Sequence, residues 1–215
     1  MSVLDPQPAY AALILAGGRG ARMRGSDKGL VTWNGRSLAL TVKQRLESQT
    51  MTPSSIWISA NRNLADYARL GATGVITDER PDFAGPLAGV ESALRHVHAP
   101  LLLVVPCDTP LLPLNLFESL HQPIRDNPSL DAAYALAADT RHHQAGGVSE
   151  GQAHPLCCLL RTNLLDNLSE YLDQGQQRVM GWMDQIHAKA VRFNDSKAFA
   201  NVNDLETLAA LRSAP

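Results

Sequence analysis

Residues 13 to 29 constrain the chain more than any other stretch. Leu13-Ile14-Leu15-Ala16 is an apolar run that breaks at Gly17-Gly18. It continues as Arg19-Gly20-Ala21-Arg22-Met23-Arg24-Gly25-Ser26-Asp27-Lys28-Gly29, a glycine-rich loop with three arginines and a lysine. An apolar run entering a glycine turn reads as a buried strand that delivers a loop to the edge of a sheet. Glycine lets the backbone approach a ligand closely. Bare N–H groups with Arg and Lys beside them suit a polyphosphate. Two familiar phosphate loops are excluded. Gly20 and Gly25 have Walker A spacing, but Ser26 stands where that loop needs lysine. Gly18-Arg19-Gly20-Ala21-Arg22 is followed by Met23, so a dinucleotide fingerprint fails at its third glycine.

The remaining apolar runs set the architecture. Strands are expected at Ala11–Ala16, Ser55–Ala60, Gly74–Thr77 and Leu101–Val105. Helices are expected at 37–49, from Asn61 to about Leu70, at 85–96 with Pro86 in its first turn, and at 111–126. Such alternation predicts an α/β fold, a parallel sheet with both faces covered by helices. The second half is less regular. Strands are expected at 131–138, 154–160 and 188–193, and helices at 162–173 and 178–185. A polar connection is expected at 140–153. The last helix is expected at 203–211, opened by a capping box from Asn203 and Glu206. One domain of 1–215 is expected, with a nucleotide-binding half over about 11–125 and an acceptor half over about 126–215.

Ligands of such sheets lie beyond the C-terminal ends of the strands. The 17–28 loop, Asn61, Asp78 and Asp108 each follow an expected strand and should gather on one edge. Asp108, in Pro106-Cys107-Asp108-Thr109-Pro110, suits a magnesium carboxylate; its other reading is a helix cap or an Asx turn. Asp78 can serve a metal, a base or a ribose, or be a plain turn residue. Asn61 can read a base or ribose edge through its amide, or cap the next helix. Lys28 is the first choice for phosphate, ahead of Arg22 and Arg24. His154 can face an acceptor or simply begin its strand, and His142-His143 reads as a surface pair.

Charge supports a localised anion site. The chain carries a formal charge of -2, yet residues 17–45 hold seven basic side chains against Asp27 alone. A general nucleic-acid surface is therefore not expected, and neither is a membrane span. The N-terminus lacks a signal-peptide pattern. Cys107, Cys157 and Cys158 form neither a disulfide framework nor a zinc pattern, and they suit a reducing cytoplasm.

Taken together, these segments resemble the molybdenum cofactor guanylyltransferases, the MobA family. The resemblance is carried, in family order, by Leu15-Ala16-Gly17-Gly18, Arg22-Met23, Asp27-Lys28-Gly29, Ser59-Ala60-Asn61-Arg62, Asp78 and Gly85-Pro86-Leu87-Ala88-Gly89. It continues through Pro106-Cys107-Asp108-Thr109-Pro110, His154-Pro155-Leu156, Gln177-Arg178-Val179-Met180 and Phe199-Ala200-Asn201-Val202-Asn203. It implies a Rossmann-like nucleotidyltransferase fold with a mainly parallel central sheet. It also implies transfer of GMP from GTP to molybdenum-molybdopterin, giving molybdopterin guanine dinucleotide and pyrophosphate, with Mg2+ or alternatively Mn2+. Leu15, Ala16, Gly17, Lys28, Asn61, Asp78 and Asp108 would bind GTP, with Lys28 and Asp108 catalytic and Asp108 on the metal. Arg178, Asn201 and Asn203 would lie on the pterin side. The family implies a cytoplasmic enzyme that meets cofactor-insertion factors and molybdoenzyme chaperones, and a monomer is expected. Arg24 departs from the glycine many members carry after Arg-Met, and the 140–153 stretch has no clear family counterpart. Competing readings are a related transferase using CTP with molybdopterin or a sugar-phosphate acceptor, and a nucleotide-binding module without turnover.

Overall fold

The computed structural model describes residues 8–17, 27–80, 85–138 and 151–202. The chain forms β1 (Tyr10–Leu15), a two-stranded ribbon of β2 (Thr32–Trp33) and β3 (Arg36–Ser37), α1 (Leu38–Glu47), β4 (Ser55–Ser59), α2 (Leu64–Ala68), β5 (Gly74–Ile76), α3 (Pro86–His96) and β6 (Leu101–Pro106). Then follow α4 (Leu116–Asp126), β7 (Ala132–Ala137), β8 (Gln152–Arg161), α5 (Leu165–Asp173), α6 (Val179–Gln185) and β9 (Lys189–Phe193). The seven-stranded sheet has the order β5-β4-β1-β6-β8-β7-β9. Four of its pairings are parallel, and β8 runs antiparallel to both of its neighbours. The sheet is thus mainly parallel, as expected.

β1 is wholly buried because it lies between β4 and β6 with helices on both faces. Its alternate residues enter opposite cores. Tyr10, Ala12 and Ile14 pack with Ala39, Val42 and Leu46 of α1, Tyr67 of α2, and Phe117 and Leu120 of α4. Ala11, Leu13 and Leu15 pack with Leu87, Val90 and Leu94 of α3, Leu168 of α5 and Trp182 of α6. A strand apolar on both sides reads as an unbroken hydrophobic run, as Tyr10–Leu15 and Leu101–Pro106 do. Cys107, Cys157 and Cys158 are buried free thiols. Among the described residues, no helix is long and apolar enough to cross a membrane.

Several boundaries differ from the sequence expectation, each for a local reason. α2 begins at Leu64 rather than at Asn61, since Asn63 adopts a left-handed conformation with φ 53° that a continuing helix does not admit. α4 begins at Leu116, not Leu111: Pro113 interrupts the preceding segment, and Asn115 stands at the cap. β8 takes in Gln152 and Ala153, which were assigned to the polar connection. They pair with Ala137 and Leu136 of β7. Residues 162–164 form a 3-10 turn ahead of α5. The expectations for Gly18 to Ser26, including Arg22 and Arg24, lie outside the described residues. So do those for residues 139–150 with His142-His143, and for Asn203 with the last helix.

Candidate active site

The chain runs outward from β1 to β4 and β5, then returns to β6 on the other side of β1. The crevice beyond β1 and β6 is therefore the switch point of the sheet, the place where open α/β folds bind ligands. Leu15 pairs with Pro106, and Cys107 N–H donates to the Leu15 carbonyl at 3.0 Å. Ala16 N–H donates to the Ser59 carbonyl at 2.9 Å. Leu15 and Ala16 are thus tied to strands on both sides. Gly17 follows them at the rim.

On the β6 side, the Lys28 ammonium donates to the Asp108 carboxylate at 2.5 Å. Both side chains are partly exposed, at 25% and 15%, so the pair can reach solvent and a ligand. The Asp108 carbonyl accepts from Val202 N–H at 2.8 Å. Its neighbour Thr109, fully buried, donates to the Asn201 side-chain oxygen at 3.1 Å. No α-helix begins directly after Asp108, so it is not a helix cap. The segment that ends in Asn201 is fixed by Phe199, whose ring stacks on His154 at 5.1 Å and meets Phe193 edge-on at 5.0 Å. Burial holds the His154 pKa below its ordinary value, which favours the neutral ring. Burial pushes the Cys107 thiol up to about 12, so the thiol beside Asp108 stays protonated.

On the β4 side, Asn61 and Asp78 hold each other. Asn61 Nδ2 donates to the Asp78 carboxylate at 2.7 Å, and Asp78 N–H donates to Asn61 Oδ1 at 2.8 Å. Asn61 is therefore not the cap of the next helix. A Cβ placed on Gly17 would lie 3.8 Å from the Asn61 amide, so glycine, amide and carboxylate share one patch. Asn61 keeps one amide N–H and Asp78 one carboxylate oxygen beyond this mutual pair. Arg178 sits at the N-terminus of α6, exposed. Its carbonyl accepts from the Tyr171 hydroxyl at 2.8 Å, and its guanidinium makes no ion pair or hydrogen bond among the described residues. The structure thus brings Leu15, Ala16, Gly17, Asn61 and Asp78 together, and joins Lys28, Asp108 and Asn201. Arg178 is not joined to either group.

Asp27 stands in the sequence as the lone acid of a basic loop and as part of the Asp27-Lys28-Gly29 resemblance, with no role of its own. It is buried, and its carboxylate accepts from the Tyr67 hydroxyl at 2.5 Å, Asn63 Nδ2 at 3.0 Å and Gly29 N–H at 3.2 Å, with Arg62 Nε at 3.4 Å. One signal was available: a single acidic residue inside a basic loop, directly before Lys28-Gly29.

A single, partly exposed carboxylate is a poor site for zinc but suits a hard cation that completes its shell with phosphate oxygens and water. Among the described residues no three His, Cys, Asp or Glu side chains converge. Asp108 therefore fits a divalent ion shared with a substrate phosphate.

Fold and site together define a nucleotidyltransferase of Rossmann-like architecture. The chain matches the model of the MobA-like NTP transferase domain over residues 12–190, and it belongs to that family. A molybdenum cofactor guanylyltransferase of Burkholderia ambifaria is 41% identical over 210 residues, covering 96% of this chain and 97% of that one. One from Polynucleobacter asymbioticus is 40% identical over 202 residues, covering 94% and 95%. Among solved structures, a CMP:2-keto-3-deoxy-manno-octonic acid synthetase complexed with CTP shares the fold at TM-score 0.75 and 15% identity. It covers 95% of this chain and 97% of that one. Molybdopterin-guanine dinucleotide biosynthesis protein A from Archaeoglobus fulgidus does so at TM-score 0.67 and 19% identity, covering 93% and 95%.

Proposed function

We propose that the chain transfers GMP from GTP to molybdenum-molybdopterin, forming molybdopterin guanine dinucleotide and releasing pyrophosphate. One observation carries the reading: the Lys28–Asp108 pair lies at the sheet's switch point, across Gly17 from the Asn61–Asp78 pair. A phosphate-and-cation site then sits beside a polar clamp for base or ribose. The acceptor follows from the shared identity with proteins named molybdenum cofactor guanylyltransferase over nearly their whole length.

In this reading a terminal phosphate oxygen of the acceptor attacks the α-phosphorus. The new P–O bond forms as the bond to the β-phosphate oxygen breaks, and the electron pair leaves with pyrophosphate. An acceptor phosphate is already anionic, so the step needs no general base. Lys28 offsets charge on the leaving phosphates and aligns the triphosphate. Asp108 would hold the divalent ion, Mg2+ or Mn2+. That ion would neutralise phosphate oxygens. The β1 rim, Leu15 to Gly17, supplies backbone approach to the nucleotide. Asn61 and Asp78 orient base or ribose. Asn201 and Arg178, with Asn203 by the family resemblance, would serve the pterin, so the half over about 126–215 serves the acceptor. Three unpaired buried thiols support a cytoplasmic setting.

Pyrophosphate release tests the reading, with GTP, CTP, UTP or ATP as donor, metal-loaded molybdopterin as acceptor, and Mg2+. Release with GTP well above CTP is expected. A preference for CTP overturns the guanylyl assignment. Silence with GTP binding intact leaves a nucleotide-binding module.

A further inference from the structure

Asp27 is the best-satisfied carboxylate on this edge of the sheet, and none of the roles above uses it. Its Oδ1 takes the Tyr67 hydroxyl and Gly29 N–H, and its Oδ2 takes Asn63 Nδ2 with Arg62 Nε beside it. A carboxylate offers about four acceptor positions, and here four donors approach them. The donors come from two places. Gly29 belongs to the 3-10 turn Lys28–Leu30, which Asp27 itself caps. Asn63, Arg62 and Tyr67 belong to the turn after β4 and to α2. Asn63 holds φ 53°, an uncommon conformation that costs energy unless neighbours fix it.

We infer that Asp27 is a positioning residue that locks the Lys28 arm and the Asn61 arm of the site into one rigid unit. The inference rests on the proposed nucleotidyl transfer at this site. The chain geometry leaves little alternative slack. Lys28 follows Asp27 directly, the Asp27–Gly29 bond holds its turn to the carboxylate, and the Tyr67 and Asn63 bonds tie that carboxylate to α2 and the turn before it. Asn61 precedes Arg62 directly, and its turn can shift only if the Arg62 and Asn63 contacts open. A Cβ at Gly29 would overlap the Tyr67 hydroxyl, so the turn and α2 are also in close steric contact. Burial, and then the Asp27 hydrogen bond, raise the Tyr67 pKa, which keeps the phenol a donor. A burial of this kind has a functional reason: phosphate and base contacts must be aligned with one another before the in-line attack, and small misplacements are costly.

Two variants and their combination test it. Asp27→Asn keeps size but sets an amide against donors, and Tyr67→Phe removes one donor with little change of shape. Each is assayed well below its own melting temperature for pyrophosphate release. Each is also titrated with GTP by thermal shift. Asp27→Asn should lower kcat at least tenfold and reduce the GTP-induced shift. Tyr67→Phe should lower kcat about threefold or more with unchanged circular dichroism. The double variant should be no worse than Asp27→Asn, because both act through one unit. A merely structural Asp27 would lower the melting temperature and leave kcat of the folded enzyme as in the wild type. That result, or an unchanged Tyr67→Phe, overturns the inference. If Asp27→Asn does not fold, Tyr67→Phe decides. Wild-type enzyme that releases no pyrophosphate overturns the proposed function instead. The GTP-induced shifts then decide the role of Asp27, and a wild type that binds no GTP overturns both.

Discussion

Lys28 and Asp108 lie 80 positions apart in the chain and meet at 2.5 Å. Strand pairing produces the meeting. β1 and β6 run parallel in register, with Leu15 opposite Pro106, so the segments that leave them start from the same rim. On the Lys28 side, Asp27 caps the 3-10 turn that opens with Lys28. Opposite charges held together in a partly exposed crevice can each turn to a ligand of the other sign: the ammonium to phosphate, the carboxylate to a divalent cation.

Asp108→Ala should abolish turnover. Removal of one aligned donor to a developing charge costs about 10²–10³ in rate, and on the proposed metal role the loss of the Asp108 carboxylate should exceed that. The fold should persist, because the bond that ties Asp108 to Val202 uses its backbone carbonyl. Pyrophosphate release and a thermal melt check both halves of the statement. Near-wild-type release would refute the metal role.

Asn61→Ala should raise the KM for GTP with a smaller effect on kcat. The substitution strips the Asp78 carboxylate and its N–H of their shared partner. Hydrogen bonds to charged groups contribute about 1.5–3 kcal/mol, so a tenfold to hundredfold rise is expected. Initial rates against GTP at saturating acceptor measure it. A KM within twofold of wild type would remove Asn61 from the nucleotide clamp.

Asn201→Ala should act on the other substrate. Asn201 is held by buried Thr109, next to Asp108, at the end of a segment packed on His154. Its loss should raise the KM for metal-loaded molybdopterin several-fold and leave the GTP-induced thermal shift unchanged. An equal loss of GTP binding would show that Asn201 serves the nucleotide.

How much of this was legible follows from what each residue needed. Leu101 to Val105 and Ala11 to Leu15 are buried on both faces, so an apolar run alone revealed them. Asp78 and Asp108 were legible because they stand where such runs stop. The antiparallel β8 was not, since pairing direction leaves no mark in a buried run such as Cys157–Leu160. Gln152 and Ala153 are exposed and carry no alternation, so their strand pairing could not be read. The buried role of Asp27 was not legible because its partners Asn63 and Tyr67 lie 36 and 40 positions away. Their convergence depends on α2 packing against the turn that starts at Asp27. Asn61 read as a helix start because the left-handed turn at Asn63 has no strong signal in an Asn-Arg-Asn sequence.

Glu91 carries a pH-dependent share of the stability. It is buried on α3, and Arg80 grips it with two nitrogens at 2.6 and 2.9 Å; Ser169 and Arg95 add bonds at 2.7 and 2.9 Å. Arg80 also reaches Asp173 of α5, so the cluster ties the segment after Asp78 to two helices. The Arg80 hydrogen bonds, first among the causes, lower the Glu91 pKa from 4.5 to about 2 against the cost of burial. A carboxylate with a depressed folded pKa stabilises fully above its unfolded pKa, and the contribution is lost as pH falls through the folded value. The window is therefore about pH 4.5 down to 2, and the stabilisation is on the order of 3 kcal/mol. Glu91→Gln should melt below wild type at pH 7, and the gap should narrow steadily from pH 4.5 towards 2. Other carboxylates titrate in both proteins and cancel in the difference. Paired calorimetric scans at several pH values measure that gap; a constant gap across the window would mean that Glu91 contributes through packing rather than charge.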